Sequence, residues 1–564
     1  MRRHPDPADQ IRAMTRAFLA RFFENEITTG TDDLKTFFFW LVAFLAAPGF
    51  LLPVMMGFRW QLIARVKGPE ALYLLSRADK TLYIGFVMIA SATIAAVTWN
   101  SLLGDRRDAL VLGVLPVRPA AIVGARLCAL AIYIIGIGVA MNALASVTFG
   151  MGLGGQSFRF AVHIMVAHFT ATVASTACIF LWVTGLQGIV LAALGPRLFS
   201  RVAPMMQVLL VGAIVAGFLS LPAITGSVVD ALSAHGPASR RWILATPPLW
   251  FLGLYEWVLG TRDPQLVRLA GTAAMGVGVG AFATVMTYPL AYRRIVTAAV
   301  EQGSGYTRAP VARTIAAWLI RASGHASHVR AVMQFLLAAL GRVEANRFVL
   351  AASLGIVVAW VMPGWLSMAA SRPDAPRVLL LSVSYSAIVF LVFGLNIAAS
   401  LPTDQKSAWM FDVTPPGRRH ARAALERTMF FFGVVPALVI FVPLYGALWG
   451  LPFAATHGLF MLLMGVLAIQ FALRRADGMP CAQPWDPQRL DLGRWWAAYL
   501  IGFILYTTKI PDVELALVDH PIGIAVFSLV TVFVAAMLRI RSLRRRNLDI
   551  DTSAFAPGDV LSLN

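Results

Sequence analysis

Charge is what this sequence has least of. Asp, Glu, Lys and Arg make up 13% of its 564 residues while 58% are hydrophobic, against roughly 25% charged in soluble domains. A large soluble core is excluded; the composition is that of a polytopic membrane protein. Cysteine is scarce too. Cys128, Cys178 and Cys481 lie far apart, which predicts neither a disulfide framework nor a thiolate metal site. Nowhere does G-x-x-x-x-G-K-[ST] occur, so the chain does not carry its own P-loop ATP site. The run GMGLGG at Gly150–Gly155 lacks the Lys and Ser/Thr such a loop needs. No H-E-x-x-H, G-x-S-x-G or paired carboxylates point to hydrolysis. His163 and His168, five residues apart, do not share a helix face and are expected as buried, hydrogen-bonded histidines. No cofactor is expected, and no enzymatic activity in this chain. Met1–Glu26 carries charges of both signs and no continuous apolar h-region, which argues against a cleavable signal peptide.

What the chain does have is long apolar runs, each able to cross roughly 30 Å of hydrocarbon. They fall near 37–57, 79–99, 120–149, 161–193, 204–226 and 266–292, then near 347–366, 378–400, 424–450, 454–473, 495–510 and 522–540. Their interiors read as nearly free of ionisable groups, leaving Asn142, Asn396 and the two histidines as candidate polar groups. Gly276, Gly278 and Gly280 form a small-residue face suited to close helix packing. With the N-terminus inside, 34 of the 47 Lys and Arg fall to cytoplasmic segments, as the positive-inside rule requires. The formal net charge of +19 thus reflects topology rather than nucleic-acid binding. One segment dissents: 58–80, read as an outer loop, carries Arg59, Arg65, Lys67, Arg77 and Lys80. The longest outer segment, 227–265, contains PPLWFLGLYEWVLG and predicts a short helix near the outer leaflet, with Trp250, Tyr255 and Trp257 at belt depth.

Two polar stretches organise this pattern. Asp105–Arg118 reads DRRDALVLGVLPVR, and Asp404–Pro416 reads DQKSAWMFDVTPP. Aligned 299 residues apart, Asp105 meets Asp404, Ala109 meets Ala408, Val114 meets Val413 and Pro116 meets Pro415. Each stretch follows the second span of its half. Each half is also preceded by an amphipathic helix. Residues 8–24 place Ile11, Met14, Phe18, Leu19 and Phe22 on one face, and 329–343 does so with Val332, Phe335, Leu336, Ala339, Leu340 and Val343. A third amphipathic stretch is expected at 311–321. The expected organisation is a cytoplasmic amphipathic segment (1–36), a six-span half (37–292), a cytoplasmic linker (293–346), a second six-span half (347–541) and a cytoplasmic tail (542–564). That is an all-α protein of about twelve transmembrane helices in two parallel repeats, with both termini cytoplasmic.

On the string WNSLLGDRRDALVLGVLPVR (Trp99–Arg118), the N-terminal amphipathic helix, the six-span count and the helical excursion between spans 5 and 6, the chain resembles bacterial ABC-2-type permeases, the membrane subunits of ABC exporters. It differs in fusing two halves, and TDQKSAWMFDVTPP matches less closely. The resemblance implies an inner-membrane translocation domain with separate ABC ATPase subunits as partners, and coupling helices at the elbows. In the first elbow, Asp105 would cap a helix start, Arg106, Arg107 and Asp108 offer charged contacts, and Leu110, Leu112 and Leu115 offer apolar anchors. Pro116 would stop the helix. The matching positions of the second elbow are Asp404, Lys406, Trp409, Phe411, Asp412 and Pro415. The low charge of the spans suggests an amphipathic or hydrophobic substrate. Two other readings stand beside this one: a secondary transporter with parallel repeats, and a membrane scaffold that transports nothing.

Overall fold

A computed structural model describes residues 7–23, 34–103, 117–154, 157–232, 238–301, 327–370, 378–401, 418–475, 480–481 and 492–544. Helices dominate, and there is no strand among the described residues. Nine helical stretches among them are long and apolar enough to cross a bilayer: Glu70–Val97, Pro119–Leu153, Phe158–Phe199, Arg201–Gly226, Pro264–Thr297, Leu380–Ser400, Arg419–Trp449, Leu451–Ala472 and Pro521–Leu543. Many large apolar side chains on them face outward, among them Ile522, Leu529 and Phe533. Water would penalise such a surface and lipid does not. These are the features of a multi-pass membrane protein. The remaining expected spans, near 37–57, 347–366 and 495–510, fall on helical backbone, parts of which carry side chains outside the described set.

The chain forms two compact units, Met1–Met206 with Ala213–Gly305, and Gln207–Gly212 with Tyr306–Asn564. The first contains α1 (Pro7–Phe23), α2 (Leu34–Val97), α3 (Trp99–Leu103), α4 (Pro119–Leu153), most of α5 (Phe158–Gly226), α6 (Val228–Leu232), α7 (Pro247–Val258) and α8 (Pro264–Glu301). The second contains α9 (Ser327–Arg342), α10 (Glu344–Ala370), α11 (Val378–Ser400), α12 (Arg418–Met429), α13 (Val435–Trp449), α14 (Leu451–Ala472), α15 (Leu492–Leu517) and α16 (Pro521–Arg544). A five-residue π-helical stretch, Phe430–Val434, joins α12 to α13.

Three glycines break the helical backbone where no loop intervenes. Gly68 has φ 85° and ψ 171° inside α2, Gly195 has φ 75° and ψ 167° inside α5, and Gly450 has φ 91° and ψ 158° between α13 and α14. L-residues with a Cβ avoid this region. A proline follows within two residues in each case (Pro69, Pro196, Pro452), where the start of a helix tolerates its missing N–H. The doubling-back at Gly68 is evident from Trp60 and Asp79, which hydrogen-bond to each other. On one continuous helix, residues that far apart would be separated by nearly 30 Å. Residues 58–80, expected as an outer loop, are therefore two helix arms and a one-residue turn.

The amphipathic helices are where the sequence places them. In the first unit, Ile11, Met14, Phe18 and Leu19 of α1 join the main apolar cluster. Thr15 Oγ1 lies 3.3 Å from the Ala125 carbonyl oxygen, and the Arg126 guanidinium sits 4.7 Å from the centre of the Phe18 ring. In the second unit, Val329, Val332 and Met333 of α9 pack on Ala424 of α12. Each unit thus lays an amphipathic helix on the first turns of the helix that follows its elbow. The stretch 311–321 lies outside the described residues.

Of the three glycines expected to form a packing face, two do so, while a Cβ on Gly278 would meet nothing within 4 Å. Gly276 and Gly280 of α8 meet α5 closely: Trp182 Nε1 donates to the Gly276 carbonyl at 2.9 Å, and a Cβ on Gly280 would lie 3.2 Å from Leu181 Cβ. The glycines ending α4 have a packing role as well. A Cβ on Gly150 would come within 2.8 Å of the Ala161 carbonyl oxygen, and one on Gly154 within 2.6 Å of Ala161 Cα.

Candidate functional site

Both elbows, Asp105–Pro116 and Asp404–Pro415, lie outside the described residues, and so do all fourteen candidate coupling positions on them. Their described flanks are α3 and α4 on the first, α11 and α12 on the second. Arg118 occupies the N-cap position of α4 with extended backbone, and Pro119 opens the helix.

The structure's own candidate site is elsewhere, in two buried clusters of ionisable and aromatic side chains. In the first unit, the turn at Gly68 brings Arg59 and Trp60 against Asp79. Arg59 Nη1 lies 3.0 Å from Asp79 Oδ1, and Trp60 Nε1 donates to Oδ2 at 2.8 Å. The next residue, Lys80, turns to α7. Its Nζ donates to Glu256 Oε1 at 2.8 Å, and both side chains are sealed from solvent at 1% and 0% exposure. The Tyr73 hydroxyl donates to Glu256 Oε2, and the Lys80 ammonium lies 4.7 Å and 4.6 Å from the ring centres of Tyr73 and Tyr255. A buried charge survives only when paired and bonded, and this one is enclosed by a carboxylate and two aromatic faces. Burial, then the neighbouring Glu256 carboxylate, raise the Tyr255 phenol well above its ordinary range and keep it protonated.

Next to this pair, His168 of α5 stacks on Phe149 of α4 with centroids 4.1 Å apart, 5.0 Å from Tyr83 of α2 and edge-on to Tyr255 of α7 at 5.7 Å. Neither ring nitrogen of His168 meets a hydrogen-bond partner among the described residues. His163, by contrast, is exposed and bonds the Val258 carbonyl at 2.9 Å. The expectation of two buried, bonded histidines is corrected: one is bonded but exposed, the other buried in aromatic contacts alone.

The second unit builds its cluster from equivalent elements. His457 of α14 lies 5.6 Å from Tyr385 of α11 and 5.0 Å from Tyr445 of α13, ring centre to ring centre. Its Nδ1 is 2.7 Å from Glu514 Oε1, near the end of α15, and both side chains are fully buried. Tyr385 donates to Glu514 Oε2 at 2.6 Å, and Ser384 Oγ is 3.0 Å from His457 Nε2. In both units a tyrosine on the helix before the elbow and an aromatic on the helix after it surround a histidine on the next helix. A glutamate near the segment that leads into the last helix completes the set. The pairing differs: Glu256 is matched by a lysine, Glu514 by the histidine itself.

Buried charge is nonetheless present, at the edges of the expected spans and beyond them. Asp79, Lys80, Arg126, Glu256 and Glu514 are all buried. Of the five cations on 58–80, Arg59 and Lys80 are paired with Asp79 and Glu256. Asn142, one of the polar residues singled out from the sequence, bonds its own helix at Gly138, and Asn396 reaches Ala472 at 3.5 Å. The signal missed was acid scarcity read the other way. A lone Glu inside an aromatic helix, as in LYEW around Glu256, is costly unless paired. No group of three or more His, Cys, Asp or Glu placed to hold a metal ion occurs among the described residues.

No protein family model, curated protein or solved structure matches this chain.

Proposed function

We propose that this chain is the membrane permease component of an ABC-type exporter, two six-span halves fused in one polypeptide, with ATP hydrolysis supplied by separate ATPase subunits. The observation that carries the reading is the repeated placement of α1 on α4 and of α9 on α12. In each unit an interfacial helix braces the first turns of the helix that the elbow enters, so a push on the elbow is delivered to a supported lever. The absence of a P-loop from the full sequence supports an external energy source. In this reading the twelve spans form parallel repeats in a bacterial inner membrane, the termini and both elbows are cytoplasmic, and an amphipathic or hydrophobic substrate moves by alternating access.

Co-expression with the cognate ATPase is expected to give a stable complex whose ATP turnover rises in the presence of this subunit. Arg107→Glu combined with Lys406→Glu should abolish both the complex and substrate export. If that double variant binds and exports like the parent, the coupling assignment is wrong.

A second reading, a proton-driven carrier with parallel repeats, gains from the buried carboxylates Glu256 and Glu514, because many carriers move ions past buried ionisable groups. Substrate uptake into liposomes driven by a pH gradient, with no ATPase present, would decide for it.

A further inference from the structure

Two histidines stand side by side where the amphipathic helix of the second unit meets the helix that follows its elbow. His328 lies in the first turn of α9 and His420 in the first turn of α12. Their ring centres are 5.4 Å apart and the ring planes are tilted by 41°. His328 is exposed and His420 half-buried, so solution reaches the pair. Packing just beyond them sets this spacing. Val329, Val332 and Met333 of α9 close on Ala424 of α12, which lies one turn past His420. Ala424 carries only a methyl group and lets the two helices approach. Ligands carried on packed helices are held more precisely than ligands on loops.

The spacing suits one shared metal ion. Zinc binds an imidazole nitrogen at about 2.0–2.1 Å, and that nitrogen stands roughly 1.2 Å from its ring centre, so each centre lies about 3.2 Å from the ion. Two such rings on a tetrahedral ion have centres roughly 5.2 Å apart; the observed separation is 5.4 Å. Each ring can turn about its side-chain bonds to aim a nitrogen at the ion, because one is exposed and the other half-buried. Imidazole suits zinc, nickel and copper, whereas magnesium and calcium take oxygen ligands.

We propose that His328 and His420 form a bis-histidine site for a borderline divalent metal ion of the zinc type, and that the bound ion ties α9 to α12. With two protein ligands, the other tetrahedral positions go to water, so the ion exchanges with solution instead of being enclosed as in a four-ligand structural site. The ion engages both rings only when the two helices are packed, and it therefore stabilises their contact by mass action. This is the contact by which α9 braces α12. The proposal does not rest on the permease reading, since the coordination follows from the two rings alone.

The test titrates zinc into the full, tag-free chain in lipid nanodiscs, with excess magnesium present, and reads binding by calorimetry. The parent should show a saturable zinc site of one ion per chain. His328→Gln and His420→Gln should each weaken it by more than about tenfold, because even the loss of a group behind a ligand costs that much. His520→Gln, at an exposed position between α15 and α16, should leave it unchanged. So should His325→Ala, whose residue precedes His328 by three positions and lies outside the described residues. Zinc should also slow amide exchange in the first turns of α9 and α12, and should not do so when His328→Gln and His420→Gln are combined. Zinc binding no tighter in the parent than in that double variant, or loss of the site in His325→Ala alone, would overturn the proposal. So would amide exchange in the parent that is indifferent to zinc. The exchange readout comes from the unmutated chain, so a misfolded variant leaves the test intact.

Discussion

Removing Lys80 should expose how much the first unit depends on one buried charge. At the observed Nζ–Oε1 separation of 2.8 Å, the gross attraction is roughly 6 kcal/mol at an effective dielectric of 20. Desolvating the two ions costs several kcal/mol each, so the intact pair contributes little net stability. Lys80→Met upsets that balance, because Glu256 stays buried with only Tyr73 and Thr261 as hydrogen-bonding side-chain partners. The expected loss is about 3–5 kcal/mol, at the lower end because the Tyr73 hydroxyl remains. Lys80→Met combined with Glu256→Leu should recover most of it, since a hydrophobic replacement of a whole buried pair is often neutral. The assay is reversible unfolding in mixed micelles, comparing parent, single and double variants as a thermodynamic cycle. A single variant within about 1 kcal/mol of the parent would refute the reasoning, as would a double variant no more stable than Lys80→Met alone.

Other outcomes follow from local geometry. Gly253→Ala places a Cβ 2.5 Å from Leu269 Cβ and 2.7 Å from the Leu266 carbonyl oxygen, so it should cost about 1–3 kcal/mol and loosen α7, as a lowered melting temperature would show. Gly68→Ala must adopt φ 85° and should cost about 1–3 kcal/mol, detectable as faster proteolysis near the turn. Burial pushes the Cys481 thiol up to about 12, leaving a thiolate fraction near one in ten thousand at pH 8. With Cys128→Ser and Cys178→Ser in place, maleimide should therefore label the protein only after unfolding; rapid labelling of the folded protein would contradict the buried position.

The readable parts of the fold were those set by local composition. The amphipathic stretches 8–24 and 329–343 were visible because their apolar residues repeat at helical spacing, and α1 and α9 (7–23 and 327–342) match them within a few residues. The PPLW start of α7 was visible because proline at the first helical position leaves no unsatisfied N–H. The turn at Gly68 was not. Gly-Pro signals a break, but a reversal within one residue depends on two helix arms packing, and charge on 58–80 pointed to a loop.

The buried clusters were hidden for a related reason. His168 and Glu256 come from helices with a whole span between them, His457 and Glu514 from consecutive helices at a separation of 57 residues, and no periodicity links either pair. The elbows align at one fixed offset because they are short and continuous. Cluster members drift in spacing along the chain, so no single register superposes Tyr83, Phe149, His168 and Glu256 on Tyr385, Tyr445, His457 and Glu514.

By itself the sequence determined that this is a helical membrane protein with amphipathic helices, because hydropathy and helical period act on neighbouring residues. Only the tertiary structure decided which scarce charges enter the interior and with whom. Lys80 reads as a surface cation until the chain doubles back at Gly68 and α7 presents Glu256. Low dielectric then makes that partner obligatory, and pairing across distant helices is a property of packing, not of sequence order.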